Sequence, residues 1–180
     1  PTVMRGYYNK PEETAAVFTP DGFFRTGDAG YFDQQGALVL TERIKDLFKT
    51  SNGKYIAPQA IESRLGEDKY IEQVAVIGDN RKFVTAIIVP AIEALKEYAS
   101  RKKIRYRNLD ELLSNPRVRE LIGNRIEALQ EGLASFEKIK KFTLLPKEFT
   151  MEAGELTNTL KIRRPVINRH YASQIEAMYA

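Results

Sequence analysis

The chain is 180 residues long, 43% hydrophobic and 29% charged, with a formal net charge of +4, a balance that suits a globular protein with one good core or two small ones. The absence of cysteine excludes a disulfide framework, a thiol nucleophile and a cysteine-based zinc site, and a single histidine, His170, removes most histidine metal sites. No apolar run approaches the roughly 18 residues of a membrane-spanning helix, and the N-terminus lacks a signal-peptide layout, so a reducing, cytoplasmic setting is expected.

The opening "PTVMRGYYNKP" begins on proline without an initiator methionine and leads into a strand-like apolar segment, the expected start of a piece of something longer. Asn9 is placed to cap a short helix over Pro11 to Phe18, with proline in the first turn and Glu12 and Glu13 near its positive end. Short strands are predicted around Phe23-Phe24 and Tyr31-Phe32, and "DQQG" turns the chain into "ALVLT", residues 37–41. Ser51-Asn52-Gly53 marks a second turn, and Ala57-Pro58 opens an amphipathic helix through Ile61 and Leu65. "EQVAVIG" and "FVTAIIVP", separated by "DNRK", form a predicted hairpin.

From Ala91 helices dominate: one over about 91–103, a short one at "LDELL", and a longer one whose apolar stripe runs through Val118, Leu121, Ile122, Ile126, Leu129 and Leu133. "KIKKFTLLP" returns to strand. "RPVINRHYASQIEAMY" closes the chain as a helix with Ile167, Tyr171 and Ile175 on one face. The expected fold class is α+β, a small mixed sheet packed with helices and preceded by a β-rich remnant of another domain.

No Gly-x-Gly-x-x-Gly and no Gly-Lys-Ser/Thr phosphate loop occurs, which argues against a dinucleotide domain and a P-loop enzyme. Dipole complementarity accounts for the acidic pairs Glu12-Glu13 and Asp110-Glu111 at helix starts. His170 lies beside Arg169 without an obvious acidic or nucleophilic partner and reads as structural or solvated. The basic clusters Arg101-Lys102-Lys103 and Lys138, Lys140, Lys141 suit nucleic acid, anionic lipid or a phosphorylated small molecule. Nucleic-acid binding is disfavoured, because "SRKKIRYRN" sets one tyrosine among five cations without a binding-module signature.

Three polar clusters remain, each awkward in a core: Arg25-Thr26-Gly27-Asp28, then Arg43 to Lys54, then Thr157 to Arg164. In order and separation, "FFRTGD", "ERIKDLFKTSNGKYIAPQAIE" and "ELTNTLKIRR" resemble the later core motifs of the AMP-forming acyl-CoA synthetases, the superfamily of acetyl-CoA synthetase, luciferase and peptide-synthetase adenylation domains. "VMRGYYNKPEETAAVFTPDGFFRTGD" resembles the usual approach to the first motif, so the resemblance runs from Val3 to about Arg164. The middle motif, "LTNTLKIRR" and a helical insertion at about 91–137 are similar to the bacterial long-chain fatty-acid CoA ligases. Two positions depart from the common pattern, since Glu42 and Leu160 stand where many members have glycine.

The resemblance implies residues 1–42 as the end of a large N-terminal adenylation domain and 43–180 as a mobile C-terminal lid. It implies that the phosphate loop, the segment binding AMP and magnesium, and the acyl pocket belong upstream, so that this chain alone is inactive. By its motif position Asp28 would accept hydrogen bonds from the ribose hydroxyls of ATP, with Arg43 also reaching the nucleotide. Lys161 resembles the adenylation lysine, Lys45 and Asp46 the hinge, and Ser51, Asn52 and Gly53 the loop lining the pantetheine channel. The implied ligands are fatty acid, ATP with magnesium, and CoA. Nucleic acid is not expected as a partner, whereas basic residues of the insertion would suit peripheral contact with anionic membrane. The alternative is a non-catalytic regulatory module, or a basic nucleic-acid binder, reusing this fold.

Overall fold

The computed structural model describes residues 2–180, apart from the side chains of residues 41, 42 and 45. The chain separates into two compact units, dividing between Asp46 and Leu47.

In the first unit, Pro11 occupies the start of helix α1 (Pro11–Val17), where its missing N–H costs nothing, and Glu12 and Glu13 lie in the first turn. Asn9 does not cap it. The flanking residue is Lys10, without a side-chain cap bond, and Asn9 instead takes a left-handed conformation (φ 53°) in the preceding turn. The expected strand at Phe23-Phe24 reduces to one bridge, Phe18 with Phe24, whose ring centroids are 5.5 Å apart.

Strands β1 (Asp28–Phe32) and β2 (Leu38–Arg43) pair antiparallel with a bulge between Ala29 and Gly30. Their turn is the one expected at "DQQG": the Asp33 carboxylate accepts from the N–H groups of Gln35 and Ala37, both at 2.9 Å. A Cβ at Gly30 would fall 2.6 Å from the Val39 carbonyl oxygen, so only glycine fits this close approach. A 3₁₀ turn, Ile44–Asp46, follows.

The second unit is built on strands β5 (Ile71–Ile77), β6 (Val84–Pro90) and β7 (Ile139–Leu144), in spatial order β5-β6-β7. The expected hairpin is β5–β6, antiparallel, whereas β7 runs parallel to β6. Parallel neighbours need a long crossover, and the helices α3 (Ile92–Arg101), α4 (Leu109–Ser114) and α5 (Pro116–Leu129) supply it.

All seven residues of β6 are buried, because both faces of the sheet are covered. Val74, Val76, Val84, Ala86 and Ile88 join one core with α3, α4, α5 and helix α2 (Pro58–Gly66). The alternate residues Ala75, Ile77, Ile87 and Val89 join a second core with Phe149 and the C-terminal helices. Each fully buried aliphatic side chain of this kind contributes about 1.5–3 kcal/mol.

Helix ends follow their local chemistry. Asn108 accepts from the Glu111 N–H while the Glu111 carboxylate accepts from the Arg107 N–H, a reciprocal cap of α4, and Asn115 caps α5 ahead of Pro116. Leu133 lies beyond the end of α5, yet still packs against the first core.

The single closing helix expected from "RPVINRHYASQIEAMY" is two: α6 (Arg164–His170) and α7 (Ala172–Tyr179), broken at Tyr171 (φ −110°, ψ 27°). The break lets His170 and Tyr171 turn together toward Glu155, while Ile167 and Ile175 both reach the second core.

Candidate functional site

Arg25 to Gly27 form the irregular backbone that leads from the Phe18–Phe24 bridge into β1, which begins at Asp28. Gly27 takes φ 80°, the Thr26 hydroxyl accepts from the Asp28 N–H at 3.1 Å, and the Gly27 carbonyl accepts from the Ile44 N–H at 2.8 Å. The register of β1 and β2 then sets Asp28 directly opposite Arg43, with Arg43 Nε 3.9 Å from Asp28 Oδ1. Both side chains are substantially exposed. A pair this long and exposed is worth about 1 kcal/mol or less, so both groups stay available to a ligand: a carboxylate acceptor for hydroxyls beside a guanidinium donor.

The expected hinge pair, Lys45 and Asp46, falls in the 3₁₀ turn at the end of the first unit, and the Lys45 side chain lies outside the described residues.

Ser51, Asn52 and Gly53 form the exposed tip between the short strands β3 (Phe48–Lys49) and β4 (Tyr55–Ile56). Gly53 at φ 78° allows the tight turn, closed by its N–H to the Thr50 carbonyl at 2.9 Å. The hairpin is fixed to the β5–β6 turn by Ser51 N–H to Arg81 O at 2.9 Å, Asn80 N–H to Lys49 O at 2.8 Å, and the Asn52 amide to Lys82 O at 3.4 Å.

Lys161 sits at the exposed end of a small closed loop. Leu156 and Ile162 pair antiparallel, the Thr157 N–H donates to the Lys161 carbonyl at 2.8 Å, and the Thr157 hydroxyl accepts from the Lys161 N–H at 3.1 Å. The preceding residue, Leu160, has φ 58°, the left-handed region that favours glycine. The departure from a common family glycine therefore leaves the glycine-type backbone path in place beside Lys161. Lys161 lines a cleft of about 300 Å³, faced by Gln59, Glu62 and Ser63 of α2 and by Leu160, Ile162 and Arg164.

The far end of this loop is pinned to the edge of β5. Glu62 and Arg164 form an ion pair, the Glu62 carboxylate accepts from the Val76 N–H at 2.8 Å, and Arg164 Nε donates to the Val76 carbonyl at 3.3 Å. Sequence reasoning missed this arrangement. Both residues stood inside the quoted motifs, but nothing in their spacing showed that they meet across the edge of a strand.

The near end carries a second missed cluster, and it corrects the reading of His170 as lacking an acidic partner. Glu155, only 4% exposed, accepts from His170 Nδ1 at 3.1 Å and the Tyr171 hydroxyl at 2.9 Å on one oxygen, and from the Thr150 N–H at 3.1 Å on the other. Burial alone would push the Glu155 carboxyl up, but the bonds from His170, Thr150 and Tyr171 outweigh it and hold it below the usual carboxylate range. Burial, helped by the Glu155 charge, pushes the Tyr171 hydroxyl up to about 12. The structure thus brings Asp28 and Arg43 together in the first unit and places Ser51–Gly53 and Lys161 in the second. Among the described residues no cluster of three or more His, Cys, Asp or Glu is arranged to hold a metal ion, and no helix is long and apolar enough to cross a membrane.

A family model described as the AMP-binding enzyme C-terminal domain matches residues 45–180, and the chain belongs to that family. It is 36% identical, over 100% of its length, to the peroxisomal long chain acyl-CoA synthetase 7 of Arabidopsis thaliana, of which it covers 26%. It is 35% identical, over 98% of its length, to the long-chain-fatty-acid–CoA ligase FadD15 of Mycobacterium tuberculosis, of which it covers 30%. Among solved structures, the A domain of a carboxylic acid reductase from Segniliparus rugosus, in complex with AMP and a co-purified carboxylic acid, superposes with a TM-score of 0.79 at 30% identity, over 98% of this chain and 26% of that one. The chain thus spans less than a third of the length of these curated relatives. The resemblance to AMP-forming acyl-CoA synthetases and the α+β fold are both borne out.

Proposed function

We propose that this chain is the C-terminal working part of an AMP-forming long-chain fatty-acid–CoA ligase, supplying nucleotide contacts, a hinge and the adenylation lysine. The observation that carries the reading is the pairing of Asp28 with Arg43 across β1 and β2, an exposed acceptor and a planar donor at the positions that match the nucleotide motifs. The names of the relatives supply the substrate class, fatty acid and CoA.

In the first half-reaction the fatty carboxylate attacks the α-phosphorus of ATP and pyrophosphate departs. Asp28 holds the ribose hydroxyls and Arg43 steadies the nucleotide. Lys161, presented by its closed loop, meets the charge that spreads over the phosphoryl oxygens, a contact commonly worth ~10²–10³ in rate. In the second, the CoA thiol attacks the acyl-adenylate and AMP leaves. Lys45 and Asp46 serve as the hinge between the two orientations, a role supported by the division of the chain immediately after Asp46. The Ser51–Gly53 tip then lines the path of the pantetheine arm. No residue of this chain is assigned to magnesium.

The test is to assay the enzyme that contains this chain with ATP, CoA and a ladder of fatty acids, following pyrophosphate, AMP and acyl-CoA. Fatty-acid-dependent release of pyrophosphate and AMP with matching acyl-CoA is expected. Failure of every chain length to elicit pyrophosphate contradicts the reading.

A further inference from the structure

The buried carboxylate of Glu155 needs a reason. Among the described residues it has no lysine or arginine partner, yet it is held by three donors: the Thr150 N–H, the Tyr171 hydroxyl and His170 Nδ1. A carboxylate so placed is costly unless its acceptor sites are filled, and removing a single partner leaves a buried polar group unsatisfied. Its backbone is equally engaged, since the Glu155 N–H donates to the Thr150 carbonyl at 3.0 Å and the Glu155 carbonyl accepts from the Arg163 N–H at 2.8 Å. Between Glu155 and Arg163 lies the whole loop that presents Lys161.

We propose that Glu155 is a positioning residue for Lys161: its carboxylate ties the base of the loop to the α6–α7 corner, and its carbonyl closes the loop against Arg163. The inference rests on the reading of Lys161 as the adenylation lysine. The opposite anchor, Glu62 with Arg164, is fixed to β5, so the loop is held at both feet while Lys161 remains exposed on its returning arm, opposite Thr157. A lysine on a slack loop loses rate because the cation must be ordered during the reaction, and a displacement of about 1 Å can cost ~10². The break between α6 and α7 serves the same end, because an uninterrupted helix would not deliver His170 and Tyr171 together to one carboxylate.

The test uses the complete enzyme carrying Glu155→Gln, which keeps the size of the side chain but removes the charge and leaves one oxygen in place of the two that accept from Thr150, His170 and Tyr171. Glu152→Gln, an exposed neighbour outside the cluster, is the control. Glu155→Gln is expected to lower kcat for acyl-AMP formation about tenfold with KM for ATP unchanged, and to leave thiolysis of supplied acyl-AMP intact. Amide exchange across Thr157–Ile162 is expected to rise while β5 and β6 stay protected. Tyr171→Phe, which removes one donor and no charge, should shift both readouts the same way by less, and it serves if the glutamine variant does not fold.

Unchanged loop exchange, or an equal fall in both half-reactions, overturns the proposal. So does a loosened loop with normal adenylation in an enzyme that Lys161→Ala disables. If Lys161→Ala itself leaves adenylation intact, the assignment of Lys161 fails and the proposal falls with it.

Discussion

Leu160 offers a direct check on the backbone that presents Lys161. An L-residue in the left-handed region carries about 1–2 kcal/mol of strain, which glycine does not. Leu160 is 67% exposed, so glycine forfeits only about a third of a leucine's burial, about 0.5–1 kcal/mol, together with about 0.5–1 kcal/mol of chain entropy. The terms nearly cancel, and Leu160→Gly should lie within about 1 kcal/mol of the parent. Leu160→Val keeps the strain, worsens it by branching at Cβ and loses contact, and should destabilise by about 1–2 kcal/mol. Urea unfolding of the three proteins, followed by circular dichroism, reads the difference. A valine variant as stable as the glycine variant would refute the left-handed assignment at Leu160 and the loop geometry built on it.

Two further outcomes follow from the clusters described. Asp28→Ala in the complete enzyme should weaken ATP binding by about 1.5–3 kcal/mol, the scale of hydrogen bonds to a charged group, and reduce discrimination against deoxyribose analogues; an unaltered ATP titration would remove Asp28 from the ribose site. In ¹³C-tyrosine spectra Tyr171 should titrate at about 12 rather than near 10.0, and Glu155→Gln should move it downward. Because that pKa is raised on folding, its stabilising contribution is complete below pH 10 and is lost as pH rises through about 12. Glu155, lowered on folding, contributes above the ordinary carboxylate range and loses that contribution as pH falls through its depressed value. A Tyr171 midpoint at 10 in the folded protein contradicts the buried Tyr171–Glu155 bond.

What could be read in the sequence was whatever is decided locally. The β-rich runs of β5 and β6, the turn at Asp33 and the Pro58 helix start depend on neighbours along the chain, and they form as expected. The break at Tyr171 could not be read, because the apolar spacing of Ile167, Tyr171 and Ile175 fits one helix and the carboxylate that meets Tyr171 there is brought in from a distant part of the sequence. Asn9 has the right chemistry for a cap but is held in a left-handed turn one residue too early. The motifs named Asp28, Arg43 and Lys161 individually. That Asp28 and Arg43 face each other depends on the bulge at Ala29/Gly30, a register shift that no residue type announces.

The central claim, that Lys161 serves the adenylation step alone, is tested most directly by measuring the two half-reactions separately in the complete enzyme carrying Lys161→Ala. Acyl-AMP formation should fall by ~10² or more, the loss of a charge partner in the transition state. Conversion of supplied acyl-AMP to acyl-CoA should proceed at nearly the parent rate. An equal loss in both would contradict the account, because Lys161 would then be supporting the fold or a nucleotide site shared by both steps.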